Sequence, residues 1–344
     1  MSVANVMTQD VRLEQLTQWV HSLPGWEHAL LEVASADASF RRYFRARTVD
    51  GTAICVDAPP DKEDVRPFVD ITRRLQAKGV HAPTILAQNL LDGFLLLEDL
   101  GNTPYLQALS PQTVNNLYAD ALHALLQLQQ ADCDHLPAYN ERMLRAEMQL
   151  MPDWFLSTHL GFSDDEIPHD LINHTIEALV EEAVGQPVAF VHRDYHSRNL
   201  MITGDDSPGI IDYQDAVLGP ATYDLVSLLR DCYVVWPQSQ VAVWVDCFRK
   251  EAISQGTIPP VDADNFQRWF DLMGLQRHLK VLGIFARLYH RDGKSGYLKD
   301  LPLVLKYTRQ VAARYREFAP LLRLLDDVAQ KAGTDDTTQV GYTF

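Results

Sequence analysis

Near Gly101 the hydrophobic period of this chain changes from two to 3.6, and that change limits what it can fold into. Upstream, the runs LLEVAS, FRRYFRART and TAICVDA between Leu30 and Pro59 are short and β-type. Turn chemistry separates them at SADAS and at Val49-Asp50-Gly51-Thr52, so three antiparallel strands are expected. Residues 9–23 space Val11, Leu13, Leu16, Trp19, Val20 and Leu23 as a helix that stops at Pro24-Gly25. A second helix is expected over 63–79, and GFLLLEDLGN reads as a strand leaving this first region. Downstream the pattern is helical, near 111–131, 140–160, 168–184, 222–235, 239–254, 264–291 and 302–328. The spacing therefore predicts an α+β chain: an N-terminal lobe over 1–100, a helical C-terminal lobe over 101–330 and a polar, frayed tail over 331–344. With 344 residues, 47% of them hydrophobic, two such lobes can each bury a core.

One stretch interrupts the helices. Between 188 and 213, VAFVHRD, NLMIT and GIIDY are short β-type runs set among turn residues and polar side chains. Phosphoryl transfer asks a protein for a group that orients and deprotonates the attacking hydroxyl and for oxygen ligands that hold magnesium on the phosphates. Asp194, Asn199 and Asp212 are residues of those types. If NLMIT and GIIDY form a hairpin, Asn199 and Asp212 lie equally far from the centre of its turn, between Asp205 and Asp206. Directly opposed residues of a hairpin have Cβ atoms about 4.5–5.5 Å apart, close enough to share a metal ion. Asp194 precedes Asn199 by five residues, so a tight loop can bring it to the same place.

Charge and cysteine usage narrow the partners. The formal charge is −16, from 46 acidic and 30 basic residues, which disfavours a sequence-independent grip on nucleic acid or an anionic membrane. The start has no basic region followed by an apolar run, and no stretch reaches the roughly 20 apolar residues of a membrane span. A cytoplasmic location is expected, and no protein partner is evident. Cys55, Cys133, Cys232 and Cys247 are scattered and read as reduced thiols.

The motifs HRDYHSRN and IIDYQDAVLGPATYDLVSLLRD resemble those of the aminoglycoside phosphotransferase superfamily of small-molecule kinases. The resemblance covers most of the chain. It implies a bilobal, protein-kinase-like fold, with ATP and Mg2+ as cofactors. By it, Asp194 is the catalytic base, Asn199 and Asp212 ligate magnesium, and Asp224 buttresses the catalytic loop. LLLEDLG resembles the interlobe hinge, whose backbone at Glu98 and Leu100 would pair with adenine. ASADASFRRYFR falls where the family covers the phosphates; it lacks glycine, so small residues such as Ser35 and Ser39 must permit the approach, and Arg41, Arg42 or Arg45 could contact phosphate. Where kinases carry a phosphate-binding lysine, strand position puts Asp57, which leaves a hairpin arginine or Lys62 to replace it and also admits a catalytically silent binding module. Within the superfamily, SADASFRRYFR, GFLLLEDLGN and LQRHLKVLGIFARLYHRDGKSGYLKDLP look most like the anomeric amino-sugar kinases of bacterial cell-wall recycling. That implies an acceptor such as N-acetylmuramate or N-acetylglucosamine; an aminoglycoside, choline or similar amine is the alternative. Over 271–290, Gln276, Lys280, Gly283 and Arg287 form a polar stripe beside the apolar stripe of Leu272, Leu275, Leu279, Leu282 and Ala286. The family's acceptor pocket lies near this region, so Lys280 or Arg287 could meet a sugar carboxylate.

Overall fold

In the computed structural model residues 10–35, 41–204, 206–331 and 342–343 are described. They divide into two compact units: the first runs to Asn102 and takes in Met201–Gln214, and the second comprises Thr103–Leu200 and the chain from Asp215 on.

The first unit opens with helix α1 (Val11–His21), whose N-cap Asp10 accepts a hydrogen bond from the Leu13 amide. Strands β1 (Leu30–Ser35), β2 (Arg42–Arg47) and β3 (Thr52–Asp57) follow, then α2 (Arg66–Gln76), β4 (Ile85–Asn89) and β5 (Phe94–Glu98). They form one antiparallel sheet in the order β1-β2-β3-β5-β4. The three expected strands are present. β4 was not expected: it is a five-residue edge strand with a register irregularity between Ile85 and Ala87, so its alternation is too brief to register as a period. Leu16 and Val20 of α1 pack with Phe44, Cys55, Phe94 and Leu96 against the sheet. Gly93 is required at the turn into β5, because a Cβ there would stand 1.9 Å from the Ala58 carbonyl oxygen.

The second unit begins with α3 (Tyr105–Ala108), α4 (Val114–Gln129) and α5 (Glu141–Met148), continues into a π-helix over Met151–His159, and reaches α6 (His169–Val184). Strand β6 (Val188–Val191) then leads into His192. The chain then passes into the first unit through the short strands β7 (Leu200–Met201) and β8 (Gly209–Ile210), which pair with each other, and resumes the second with β9 (Val217–Pro220), which pairs antiparallel with β6. Helix α7 (Tyr223–Leu229) is shorter than the expected 222–235, because the chain turns at Asp231, whose carboxylate accepts the Tyr233 amide, and then forms β10 (Val234–Val235). Next are α8 (Gln238–Ser254) and α9 (Ala263–Asp292), a 30-residue helix closed by Gly293 in the left-handed region. The segment expected as one helix over 302–328 is two, α10 (Leu301–Ala312) and α11 (Ala319–Lys331). Between them Arg314 and Tyr315 turn inward to the buried Asp271 carboxylate. In the tail, β11 (Tyr342–Thr343) pairs parallel with β10.

Helix α9 is the spine of this unit. Its fully buried stretch, Phe270 to Gly283, includes Asp271, Gln276, Arg277, His278 and Lys280, so the polar stripe read from sequence spacing is largely interior.

Candidate active site

Strands β6 and β9 set the loop that runs from His192 to Asn199. Their register pairs Val191 with Val217, and Asp224 follows at the start of α7. Its carboxylate is 1% exposed and accepts the amides of His192 at 2.6 Å and Arg193 at 3.0 Å. Burial pushes its pKa up to about 7, against the pull of these two amides. The loop itself is strained, since Arg193 has φ 77°. Residues held in this region cluster where a site over-determines the backbone.

Asp194 comes next, its side chain half-exposed. Its amide donates to His192 Nδ1, and its carbonyl accepts Asn199 Nδ2 at 3.0 Å, which fixes the orientation of the Asn199 amide. The guanidinium of Arg277 approaches the Asp194 carboxylate at 3.8 Å. Desolvation works to raise the Asp194 pKa, but Arg277, followed by His196, Lys280 and His192, brings it down to about 2. It is therefore an anion throughout the physiological range.

Behind it lies a network that sequence reasoning did not find. Arg277 donates to the Arg193 carbonyl at 2.8 Å and to the Tyr223 hydroxyl at 3.0 Å. Lys280 donates to the same hydroxyl at 3.0 Å and pairs with Glu147 at 3.0 Å. Glu147 also receives Arg193 at 2.5 Å and the Tyr139 hydroxyl. Burial would raise Glu147, yet Lys280 and then Arg193 hold it below the usual carboxylate range. The available signal was a pair of cations, Arg277 and Lys280, three residues apart on this helix, which requires an acid nearby once that stretch is buried. Lys280 is thus paired within this network and is 6% exposed.

In the first unit, Asp212 follows β8. It is exposed, has φ 66° and accepts Gln214 Nε2 at 2.9 Å. Asp212 is therefore past the two-residue ladder, and its direction is set by a left-handed turn where strand alternation was expected to set it. The following Tyr213 anchors that turn, stacking on Phe68 with centroids 5.0 Å apart and hydrogen-bonding Thr72 at 2.8 Å. Glu98 ends β5; its amide donates to the Thr84 carbonyl, and its carboxylate accepts Thr84 N, Thr84 Oγ1 and His81. Leu100 packs on Gly209, where a Cβ would stand 2.8 Å from Leu100 Cδ1.

The hairpin arginines have different employment. Asp57 is fully buried, and Arg12 and Arg42 both pair with it; Arg42 also pairs with Asp10. Arg45 is held by Asp99 and the Gly101 carbonyl. Arg41 meets Glu63 at 3.2 Å, just ahead of α2. Ser35 ends β1, paired with Tyr43. Ser39 lies outside the described residues. Among the described residues no cluster of three or more His, Cys, Asp and Glu side chains is arranged for a metal. Magnesium at a nucleotide needs fewer, commonly one or two protein oxygens beside the phosphates, and an exposed carboxylate and an oriented amide are hard donors of that kind.

These features define a phosphotransferase, and the chain belongs to the phosphotransferase enzyme family, whose sequence profile matches residues 31–249. More particularly, it is 45% identical over 337 residues to the N-acetylmuramate/N-acetylglucosamine kinase of Pseudomonas aeruginosa, covering 95% of this chain and 99% of that one. The protein of the same name from Neisseria meningitidis is 40% identical, over 98% of this chain and 100% of its own. Among solved structures, the ethanolamine kinase of Plasmodium vivax superposes with a TM-score of 0.63 at 12% identity over 94% of each chain. An ADP-bound aminoglycoside phosphotransferase gives 0.58 at 15%, over 88% and 99% of the two chains. The shared fold is kinase-like, and this chain is a kinase. No helix among the described residues is long and apolar enough to cross a membrane.

Proposed function

We propose that this enzyme transfers the γ-phosphoryl group of ATP, with magnesium, to the anomeric hydroxyl of N-acetylmuramate and N-acetylglucosamine in the cytoplasm, as a step of peptidoglycan recycling. The observation that carries this reading is similarity at 40–45% identity along nearly the whole chain to kinases named for those two sugars. Asp194 orients the acceptor hydroxyl and takes its proton. With its pKa near 2 it is a weak base, and an acceptor suits it better when its hydroxyl is more acidic than an ordinary sugar alcohol, as the anomeric one is. Asp224 holds the loop that presents Asp194, and Arg277 keeps Asp194 charged. Asn199 and Asp212 would hold magnesium, which supplies charge neutralisation at the phosphates.

On the nucleotide side, the first unit binds ATP, with the backbone of Glu98 and Leu100 taking adenine and Ser35 and Ser39 admitting the phosphates. Arg41, paired with Glu63, stands in for the lysine–glutamate pair of protein kinases. Arg42 and Arg45 are committed to acids of the fold, and Lys62 is an exposed partner of Asp61. Asp57, which invited a catalytically silent reading, is accounted for as a buried anchor between two arginines.

The test is ADP release from the purified protein on a panel of amino sugars. Turnover is expected with both named sugars and not with their methyl glycosides, and the product should have lost its reducing end. Equal rates on free sugar and methyl glycoside would refute the anomeric assignment. Turnover of kanamycin-like amines alone would refute the acceptor.

A further inference from the structure

Recognition of an acceptor beyond its reacting hydroxyl has to come from side chains the fold has left uncommitted. In the unit that carries Asp194, Arg193 and Lys280 are held by Glu147, and Arg277 by Tyr223 and the Arg193 carbonyl. Arg198 lies 3.5 Å over the Tyr233 ring. Arg287 differs from all of these. It is half-buried on α9, makes no ion pair among the described residues, and its Nε is buried without a hydrogen-bond partner.

In a chain with 46 acidic residues carboxylates are abundant, so a partly desolvated guanidinium kept away from them leaves a need that something else must meet. Burial and the nearby Arg291 charge both push Arg287 toward losing its proton, and Asp292 opposes them only in part. An incoming anion would reverse that balance.

Its position suits the acceptor. Arg287 follows Lys280 by seven residues, so the two share a helix face about 10 Å apart along the axis. Lys280, on that face, carries a charge that acts on Asp194. One turn before Arg287, Gly283 brings α9 onto the Leu150 backbone; a Cβ would stand 2.2 Å from the Leu150 carbonyl carbon. The base from which Arg287 extends is therefore fixed against the entry to the π-helix. Irregularities of that kind concentrate at functional sites.

We propose that Arg287 binds the lactyl carboxylate of N-acetylmuramate and thereby sets the preference for that sugar over N-acetylglucosamine, which has no carboxylate. A planar guanidinium can meet a carboxylate with two parallel hydrogen bonds, a geometry lysine does not reproduce. The inference rests on the acceptor assignment made above.

The experiment compares wild type, Arg287→Gln and Arg287→Lys by steady-state kinetics on both sugars. The ratio of kcat/KM for N-acetylmuramate over N-acetylglucosamine should fall about ten- to a hundredfold in Arg287→Gln, the size of a lost charge-assisted contact. Lysine should restore part of it. Turnover of N-acetylglucosamine shows in the same assay that each variant is folded. An unchanged ratio overturns the inference while leaving the acceptor assignment intact, as does a rise in KM for ATP that is the same with either sugar. Wild-type turnover of neither sugar overturns both.

Discussion

Replacing Asp194 by asparagine keeps its shape and removes its charge, so nucleotide affinity and melting temperature should hold while turnover falls by roughly 10²–10⁴, the usual size of a general-base effect. Near-normal turnover would remove Asp194 from that role. Asp212→Ala should abolish magnesium-dependent nucleotide binding by calorimetry, and an unchanged affinity for Mg–ATP would count against it as a ligand. The hairpin arginines should separate in the same assay. Arg41→Ala should weaken ATP by about ten- to a hundredfold. Arg42→Ala should leave ATP affinity near wild type and instead cost about 1–3 kcal/mol of stability, because it strips one of two cations from the buried Asp57. Equal ATP affinity in both variants would reject Arg41 as the phosphate contact. At this scale the sequence displayed residue types better than it displayed their partners. Asp194, Asn199 and Asp212 stand within one short stretch, whereas Glu147 and Lys280 lie on helices far apart in the chain and meet only because α9 is buried.

Among the elements, α9 carries the sharpest stability prediction. Gly283→Ala drives a methyl into the Leu150 backbone, and overpacking of this kind costs about 1–3 kcal/mol, to be read as a lower denaturant midpoint at unchanged slope. A midpoint equal to wild type would show that the two helices can part without cost. A second prediction concerns the tie between β5 and the β7–β8 hairpin. His81 Nδ1 donates to the Asp206 carbonyl at 2.6 Å, and Nε2 meets Glu98 at 3.1 Å. Burial would lower the His81 pKa, but the Asp206 carbonyl and then Glu98 outweigh it and the pKa is raised. A folded value above the unfolded one, near 6.5, gives stability that is complete below about pH 6.5 and is lost as pH rises through the folded value. The melting temperature should therefore decline over that window, and His81→Gln should flatten the decline; identical pH profiles would remove His81 as its source. The long helices and the strands around the β2–β3 turn were readable from periodicity because their pattern repeats several times. β4, at five residues, and the break between α10 and α11 were not, since Arg314 and Tyr315 stop the helix through a distant acid, Asp271.

On the scale of the whole molecule, the change of period at Gly101 falls one residue before the end of the first unit's opening stretch at Asn102. No periodicity announced that Met201–Gln214 would return to that unit, because fourteen residues of short strand and turn carry too little pattern of their own. This excursion ends near the left-handed backbone of Asp212, which has consequences for how the sequence can drift. An aspartate held at φ 66° is a residue kept where glycine would be more comfortable. Asp212→Gly should raise the melting temperature, by the equivalent of about 1 kcal/mol, while abolishing phosphoryl transfer. A lineage selected for stability alone would take that exchange readily, and one selected for turnover must refuse it in every generation. Arg193, at φ 77°, does not face the same choice, because its guanidinium also holds Glu147. Copies of this fold released from selection for catalysis should therefore acquire glycine at position 212 early, and tolerate it well.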